Sequence, residues 1–220
     1  MDEKLEVTKR YDEKLSKLYF EKHKHGFSHR LSNWLEQRMA ARALVMAGEP
    51  KSVLDLPCGA GRFWELLARV PERQLMAADY SQDMIDTALN FQPPHIAKRF
   101  KTFQTSVFDI NLPEAAVDCI FCMRLLHHMN KEEIRAKMFH EFHRVTRDSV
   151  CVSLWVNGNF QAWRRRRSQN HHQTSQYRPR FLSDHSQIEP EFRQSGFNII
   201  GYVDLFPGFS MWRTYVLKRR

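Results

Sequence analysis

No apolar run in this sequence approaches the roughly 18 residues of a membrane helix, and no membrane span is expected. The opening stretch, MDEKLEVTKR, is charged and holds no apolar signal-peptide core, so a cytoplasmic chain is expected. Cysteine is scarce, with four residues at Cys58, Cys119, Cys122 and Cys151. Three of them lie in or beside candidate core strands, where a reduced thiol acts as a small hydrophobe. Cys119 and Cys122 have a C-x-x-C spacing, but residues three apart in a strand point to opposite faces. Neither a metal nor a redox pair is expected from them. His23, His25 and His29 have no Cys nearby and no ligand spacing, so no metal site is expected there either. Acid is missing from one stretch altogether: residues 157–182 contain six arginines and no carboxylate.

What is present is an ordinary globular chain with a basic bias. Its 220 residues suit one domain with a cap or insertion, and 42% hydrophobic content supplies a sizeable core. A net charge of +9 draws anions, whether nucleic acid, anionic lipid or a phosphorylated or carboxylated small molecule. Residues 1–50 read as a helical lead-in or cap. Tyr11, Leu15, Leu18, Tyr19 and Phe20 are spaced by threes and fours. Leu31, Trp34, Leu35, Met39, Ala43 and Met46 continue a helical period that Gly48 and Pro50 stop.

The remainder, 51–220, alternates strand and helix. Strands are expected at 51–56, 74–79, 102–108, 117–123 and 150–156. Helices are expected at 62–70, from Ser81 as N-cap to about residue 89, and behind a capping-box-like Asn130 and Glu133. Residues 90–99, with Pro93 and Pro94, are a connector, and the basic stretch 157–182 is an insertion. A helix near residues 190–195 ends at Gly196. Two strand-like runs follow, joined by Pro207 and Gly208, and so short a link demands an antiparallel pair. The alternation predicts a doubly wound parallel sheet.

The centre of this pattern is VLDLPCGAGRF, residues 53–63. A buried strand ends in Asp55 and passes into a turn holding Gly59 and Gly61, tight enough for a ligand to touch backbone. Dinucleotide sites use G-x-G-x-x-G here, but Trp64 occupies the third glycine's place. Asp55 at the strand end would also oppose a pyrophosphate. A ligand with a cationic end and no phosphate suits the turn better.

Together with AADYSQDMI, SVFDINLP, VDCIFCMRLLHHM and EFHRVTR, this stretch resembles the class I S-adenosylmethionine-dependent methyltransferases with a UbiE-like core, within the methyltransferase domain superfamily. The resemblance covers about residues 52–156, and the last two strands in pattern only. It implies an α/β, Rossmann-like, doubly wound seven-stranded sheet, mostly parallel with an antiparallel final strand, plus N-terminal helices. It implies S-adenosyl-L-methionine as cofactor, held by Asp55, Cys58, Gly59, Gly61, Asp79, Tyr80, Asp109, Ile110, Met123 and Arg124. In it Asp55 orders the loop and attracts the α-ammonium, Asp79 takes the ribose hydroxyls, and Asp109 lies beside the adenine with Ile110 stacking on it. Pro57 departs from the motif's usual first glycine and removes one N–H.

For the acceptor, His127 and His128 are candidate bases after the fourth strand. Arg164, Arg165, Arg166 and Arg167 form a candidate anion clamp, with Phe209 and Trp212 beside it. An anionic small-molecule or lipid-linked acceptor is expected. The base-amino methyltransferase motif is absent after the fourth strand, and DNA is not expected. RNA is the alternative, held by the basic stretch with Trp163 and Tyr177. A third reading is a non-catalytic cofactor-binding module that lends its fold to a partner.

Overall fold

Strand β1 (Ser52–Asp55) is buried along its whole length and lies inside the sheet, parallel to β2 (Gln74–Asp79) on one side and β4 (Val117–Cys122) on the other. Its apolar run fits a strand with neighbours on both edges and helices on both faces. The computed structural model that reveals this describes residues 27–169 and 180–220. With β3 (Phe100–Gln104), β5 (Thr146–Trp155), β6 (Phe197–Asp204) and β7 (Trp212–Arg219), the sheet order is β3-β2-β1-β4-β5-β7-β6. β7 is antiparallel to both β5 and β6, and the other neighbouring strands pair in parallel. The expected α/β sheet with its antiparallel final strand is therefore present. It is a Rossmann-like fold.

Alternation along each strand divides the core into two layers. Val53, Cys119, Phe121, Cys151 and Val216 face one cluster; Leu54, Ile120, Cys122, Val152 and Leu217 face the other. Cys119 and Cys122 thus lie on opposite sides of the sheet. The first layer is completed by α1 (Phe27–Met46), α2 (Trp64–Leu67), α3 (Gln82–Phe91) and the short α4 (Pro94–Ala97), which contribute Met39, Ala43, Leu44, Trp64, Ile85 and Ala97. The second comes from α5 (Glu132–Val145) and α7 (His185–Gln194), where Phe139 meets Phe142, Phe192 and Phe197 edge to face. Burying each such ring is worth roughly 1.5–3 kcal/mol.

Several local expectations change. The third strand stops at Gln104, because Thr105 folds the chain back. Its Oγ1 donates to the Asp109 carbonyl (3.0 Å) and accepts the Asn111 amide (3.0 Å). The helix expected over 62–70 is regular only from Trp64 to Leu67. Ser81 and Asn130 make no side-chain caps: the Ser81 amide is itself bound to Asp79, and α5 begins at Glu132 behind Lys131. The helix expected near Pro190 starts earlier, where the Asp184 carboxylate accepts the Ser186 amide (2.9 Å) and Pro190 lies inside the helix. The basic insertion is partly helical, as α6 (Phe160–Gln169), with the Asn159 side chain accepting the Ala162 amide (2.9 Å).

α1 ends as expected. The amides of Gly48 and Glu49 reach back to the carbonyls of Val45 and Leu44, and Gly48 takes the positive φ (82°) that this ending requires. The helix packs against β6 and β7. The expectations for Tyr11 to Phe20, His23, His25, Tyr177 and Arg178 lie outside the described residues. Among the described residues no helix is long and apolar enough to cross a membrane.

Candidate active site

Parallel strands bring their carboxyl ends to one edge, and a cavity of about 520 Å³ opens there, beyond β1, β2 and β4. Its floor is Asp79, the last residue of β2 and only 5% exposed. One carboxylate oxygen accepts the Gly59 amide (2.9 Å) and the other accepts the Ser81 amide (3.0 Å). Burial pushes its pKa up while those amides pull it back. Each oxygen retains acceptor capacity beyond one bond, so the carboxylate that ties the turn in place is also able to receive two ligand hydroxyls.

The two glycines of the turn do different work. Gly59 has a positive φ (51°), lines the cavity, and a Cβ there would meet nothing within 4 Å. Gly61 (φ 73°) does not line the cavity; a Cβ would stand 3.0 Å from both Gln92 Cγ and Trp64 Cδ2. Gly61 therefore lets α3 close on the turn, and the Gln92 side-chain amide donates to the Ala60 carbonyl (3.3 Å).

Asp55 is placed behind the turn rather than in it. It is 1% exposed and does not line the cavity, and its Oδ2 has no hydrogen-bond partner. Burial pushes its carboxyl well above the usual range, and the charge of Asp79 adds to the effect. The expected contact with an α-ammonium is not available to a side chain sealed there. Cys58 does line the cavity, and burial, reinforced by Asp79 and Asp55, keeps its thiol protonated.

Tyr80, Met123 and Arg124 line the cavity, as do Pro57 and Met84. Asp109 and Ile110 do not. Asp109 is exposed, and Ile110 is buried in the second core layer with its amide on Glu141 (3.0 Å). The bend at Thr105 presents Ser106, Val107 and Phe108 to the cavity instead, an outcome of the early strand end that the strand-length reading missed.

The far wall comes from α1. Asn33 and Gln37 line the cavity, and Gln37 donates to the Arg62 carbonyl (2.8 Å). Glu36, 4% exposed, accepts from Arg124 on both oxygens (2.9 Å each) and pairs with Arg62 at 3.2 Å. Arg124 itself has a positive φ (64°), with its amide on Ser153 Oγ (2.8 Å). Glu36 is the one acid in α1, and that isolation was the available sequence signal.

His127 and His128 are not brought to the cavity. His127 is 2% exposed, stacked on Trp155 (4.9 Å between centroids) and edge-on to Trp212 (5.0 Å). Burial first, then His128 and the guanidiniums of Arg124, Arg180 and Arg165, bring its pKa down to about 2. A ring so weakly basic and so enclosed is unsuited to accept a proton from an acceptor. His128 is half-buried with its ring 4.1 Å from that of His127. Trp212 belongs to the same cluster and carries Arg124 at 5.1 Å.

The four arginines do not act as one clamp, because consecutive helical residues point about 100° apart. Arg165 packs over Trp155 (4.9 Å) and Arg167 over Trp163 (4.3 Å), while Arg164 and Arg166 are exposed. Phe209 is 47% exposed and stacks on Phe160.

Comparisons with known proteins agree with this geometry. Residues 53–149 match the family model described as a methyltransferase domain. No curated protein sequence matches the chain. The magnesium protoporphyrin IX methyltransferase of Synechocystis with bound SAH is similar in structure, at TM-score 0.77 and 14% identity, over 99% of this chain and 100% of that one. The same enzyme with bound SAM gives 0.73 and 13%, over 100% and 98%. The [4+2]-cyclase SpnF gives 0.63 and 13%, over 83% and 80%.

Proposed function

We propose that the chain, whose residues 53–149 match a methyltransferase domain model, is a class I S-adenosylmethionine-dependent methyltransferase, and that it methylates an oxygen of an anionic acceptor, a carboxylate on a small molecule or a lipid-linked molecule. S-Adenosylmethionine, when bound, supplies an electrophilic methyl group on a sulfonium. The chain's part is to hold and orient. Asp79 offers two acceptor oxygens to the ribose hydroxyls, and the Gly59 turn gives close backbone approach. Tyr80, Met84, Val107 and Phe108 line a largely apolar space suited to an adenine.

The acceptor class follows from hydrogen-bond donors and from proton bookkeeping. Arg62, Arg69 and Arg124 line the cavity together with Glu65 and Asp79, and Glu36 pairs with Arg62 and Arg124, so it is the guanidinium forks, rather than any net charge, that suit a carboxylate there. A carboxylate reaches the site already deprotonated at neutral pH, so in-line displacement needs positioning rather than a general base. That matches a site whose two candidate histidines stand apart from the cavity. SpnF, a cyclase on a similar fold, is a reminder that the activity rests on the site and not on the fold.

The observation that carries the reading is the buried Asp79 carboxylate on the cavity floor, bridging Gly59 and Ser81. Its test is calorimetric titration with S-adenosylmethionine. Asp79→Asn should weaken binding about thirtyfold or more, the loss of charge-assisted bonds worth about 2 kcal/mol, with far-UV circular dichroism unchanged. Equal affinity in both proteins would refute the assignment. Labelled-methyl assays on carboxylic acids, alcohols and RNA then read the acceptor class directly; product from alcohols or RNA alone would remove the carboxylate.

A further inference from the structure

On the sheet edge that holds the cavity lies a surface that methyl transfer itself does not require. Phe160 and Trp163 on α6 and Phe206 and Phe209 in the β6–β7 turn are between 47% and 57% exposed. They form one patch: Phe160 stacks on Phe209 at 5.4 Å, Phe206 meets Phe209 edge-on at 6.1 Å, and Trp163 lies 5.8 Å from Phe160. The patch is built rather than loose. The first amides of α6, on Phe160 and Gln161, donate to the carbonyls of Gly208 and Phe209 (3.0 Å each), so the turn satisfies the helix start.

Its rim is cationic. Arg164, Arg166 and Arg167 are exposed, and Arg166 joins Phe160 and Trp163 around a surface hollow of about 420 Å³. The acids that flank the patch in sequence are engaged: Asp184 with Ser186 and Asn157, and Asp204 with Arg213. Four exposed aromatics with a rim of arginines that pair with no carboxylate among the described residues match the headgroup zone of an anionic bilayer, which takes aromatic rings at the interface and attracts cations. Single-stranded RNA fits less well. It stacks on free ring faces, whereas here the rings cover one another and Arg167 covers Trp163.

We infer that this aromatic and arginine patch docks the enzyme on an anionic membrane surface. Topology gives the consequence. β6 runs parallel to β5, so the turn after β6 and the helix after β5 stand on the same sheet edge as the cavity. Trp212, at the start of β7, carries the cavity-lining Arg124 on its ring. A docked molecule thus turns the sheet edge that holds the cavity toward the bilayer, and the inference, which rests on the proposed function, names the source of the acceptor class proposed above: an anionic headgroup or lipid-linked carboxylate.

The test is co-sedimentation of the full chain with vesicles of phosphatidylcholine alone or of phosphatidylcholine with phosphatidylglycerol. Binding is expected to the second kind and to fall with salt. The double variant Phe206→Ser with Phe209→Ser should weaken it at least about tenfold. Arg164→Gln, Arg166→Gln and Arg167→Gln should each cost about fivefold. S-Adenosylmethionine titration of the same variants should match the unaltered chain, which separates lost docking from lost fold. Equal vesicle binding by the Phe206, Phe209 variant overturns the inference. So does failure of the unaltered chain to bind either vesicle, or retention of polyuridylate without retention of vesicles. Loss of cofactor binding in the unaltered chain sinks the proposed function instead, leaving the vesicle result readable.

Discussion

Gly59 and Gly61 look alike in the sequence, both with positive φ in one turn, yet one faces a cavity and the other faces Gln92 and Trp64. At the scale of single residues, what a side chain or its absence does is set by what stands opposite. His127 shows the same point with an energetic consequence. Its folded pKa of about 2 lies below the ordinary 6.5, so the neutral ring belongs to the fold and the unfolded chain binds the extra proton. Its stability contribution is complete above about pH 6.5 and is lost as pH falls toward 2, by up to about 1.4 kcal/mol per pH unit. Asp55 and Asp79 have raised values and run the opposite way, losing stability as pH rises through their own windows. A comparison with His127→Phe isolates the ring while keeping the stack on Trp155. Denaturant unfolding at about pH 7 and about pH 5 should show the unaltered chain losing at least about 1 kcal/mol more than the variant. Parallel losses would mean that His127 is not held neutral by burial.

Among the elements, α1 changes meaning most. Its apolar spacing predicts a helix packed on the domain, and Met39, Ala43 and Leu44 do pack there. It also supplies a wall of the cavity, because Glu36 holds Arg62 and Arg124 across it. Breaking a mostly buried charge cluster is costly, since two guanidiniums lose their shared counter-charge. Glu36→Gln should cost about 2–3 kcal/mol of stability and weaken S-adenosylmethionine binding as well. Differential scanning calorimetry and titration of one preparation read both. A drop in stability with intact affinity would make α1 a mere prop. α6 is a second case: a polar, arginine-rich stretch read as an insertion forms a helix because Asn159 caps it and the β6–β7 turn accepts its first amides.

At the scale of the molecule, cofactor and fold are linked through the same turn. Asp79, Gly59 and Ser81 join β2, the β1 turn and α3, so a ligand seated there stabilises the whole sheet. At a hundred times its dissociation constant, S-adenosylmethionine should add about 2.7 kcal/mol, a rise in Tm of about 5–10 °C for a chain of this length. Asp79→Asn at the same concentration should show little of that rise. A shift of equal size in both proteins would place the cofactor elsewhere.

Local pattern was enough for the sheet. The apolar runs that became β1, β2 and β4 have neighbours on both sides and no polar alternation, and the Pro207–Gly208 link left the last two strands no geometry but an antiparallel one. It was also enough for the turn, since an acid, two glycines and a second acid at the next strand's end are short-range signals. What it left open depends on residues far apart in the chain. The end of β3 was decided by the Thr105 hydroxyl, which turned Val107 and Phe108 inward in place of Asp109 and Ile110. The fate of His127 was decided by Trp155 and Trp212 closing over it, and that of Asp55 by burial beneath the turn. Burial, ring stacking and shared counter-charges are properties of what packs against a residue, and only the tertiary structure assembles those neighbours.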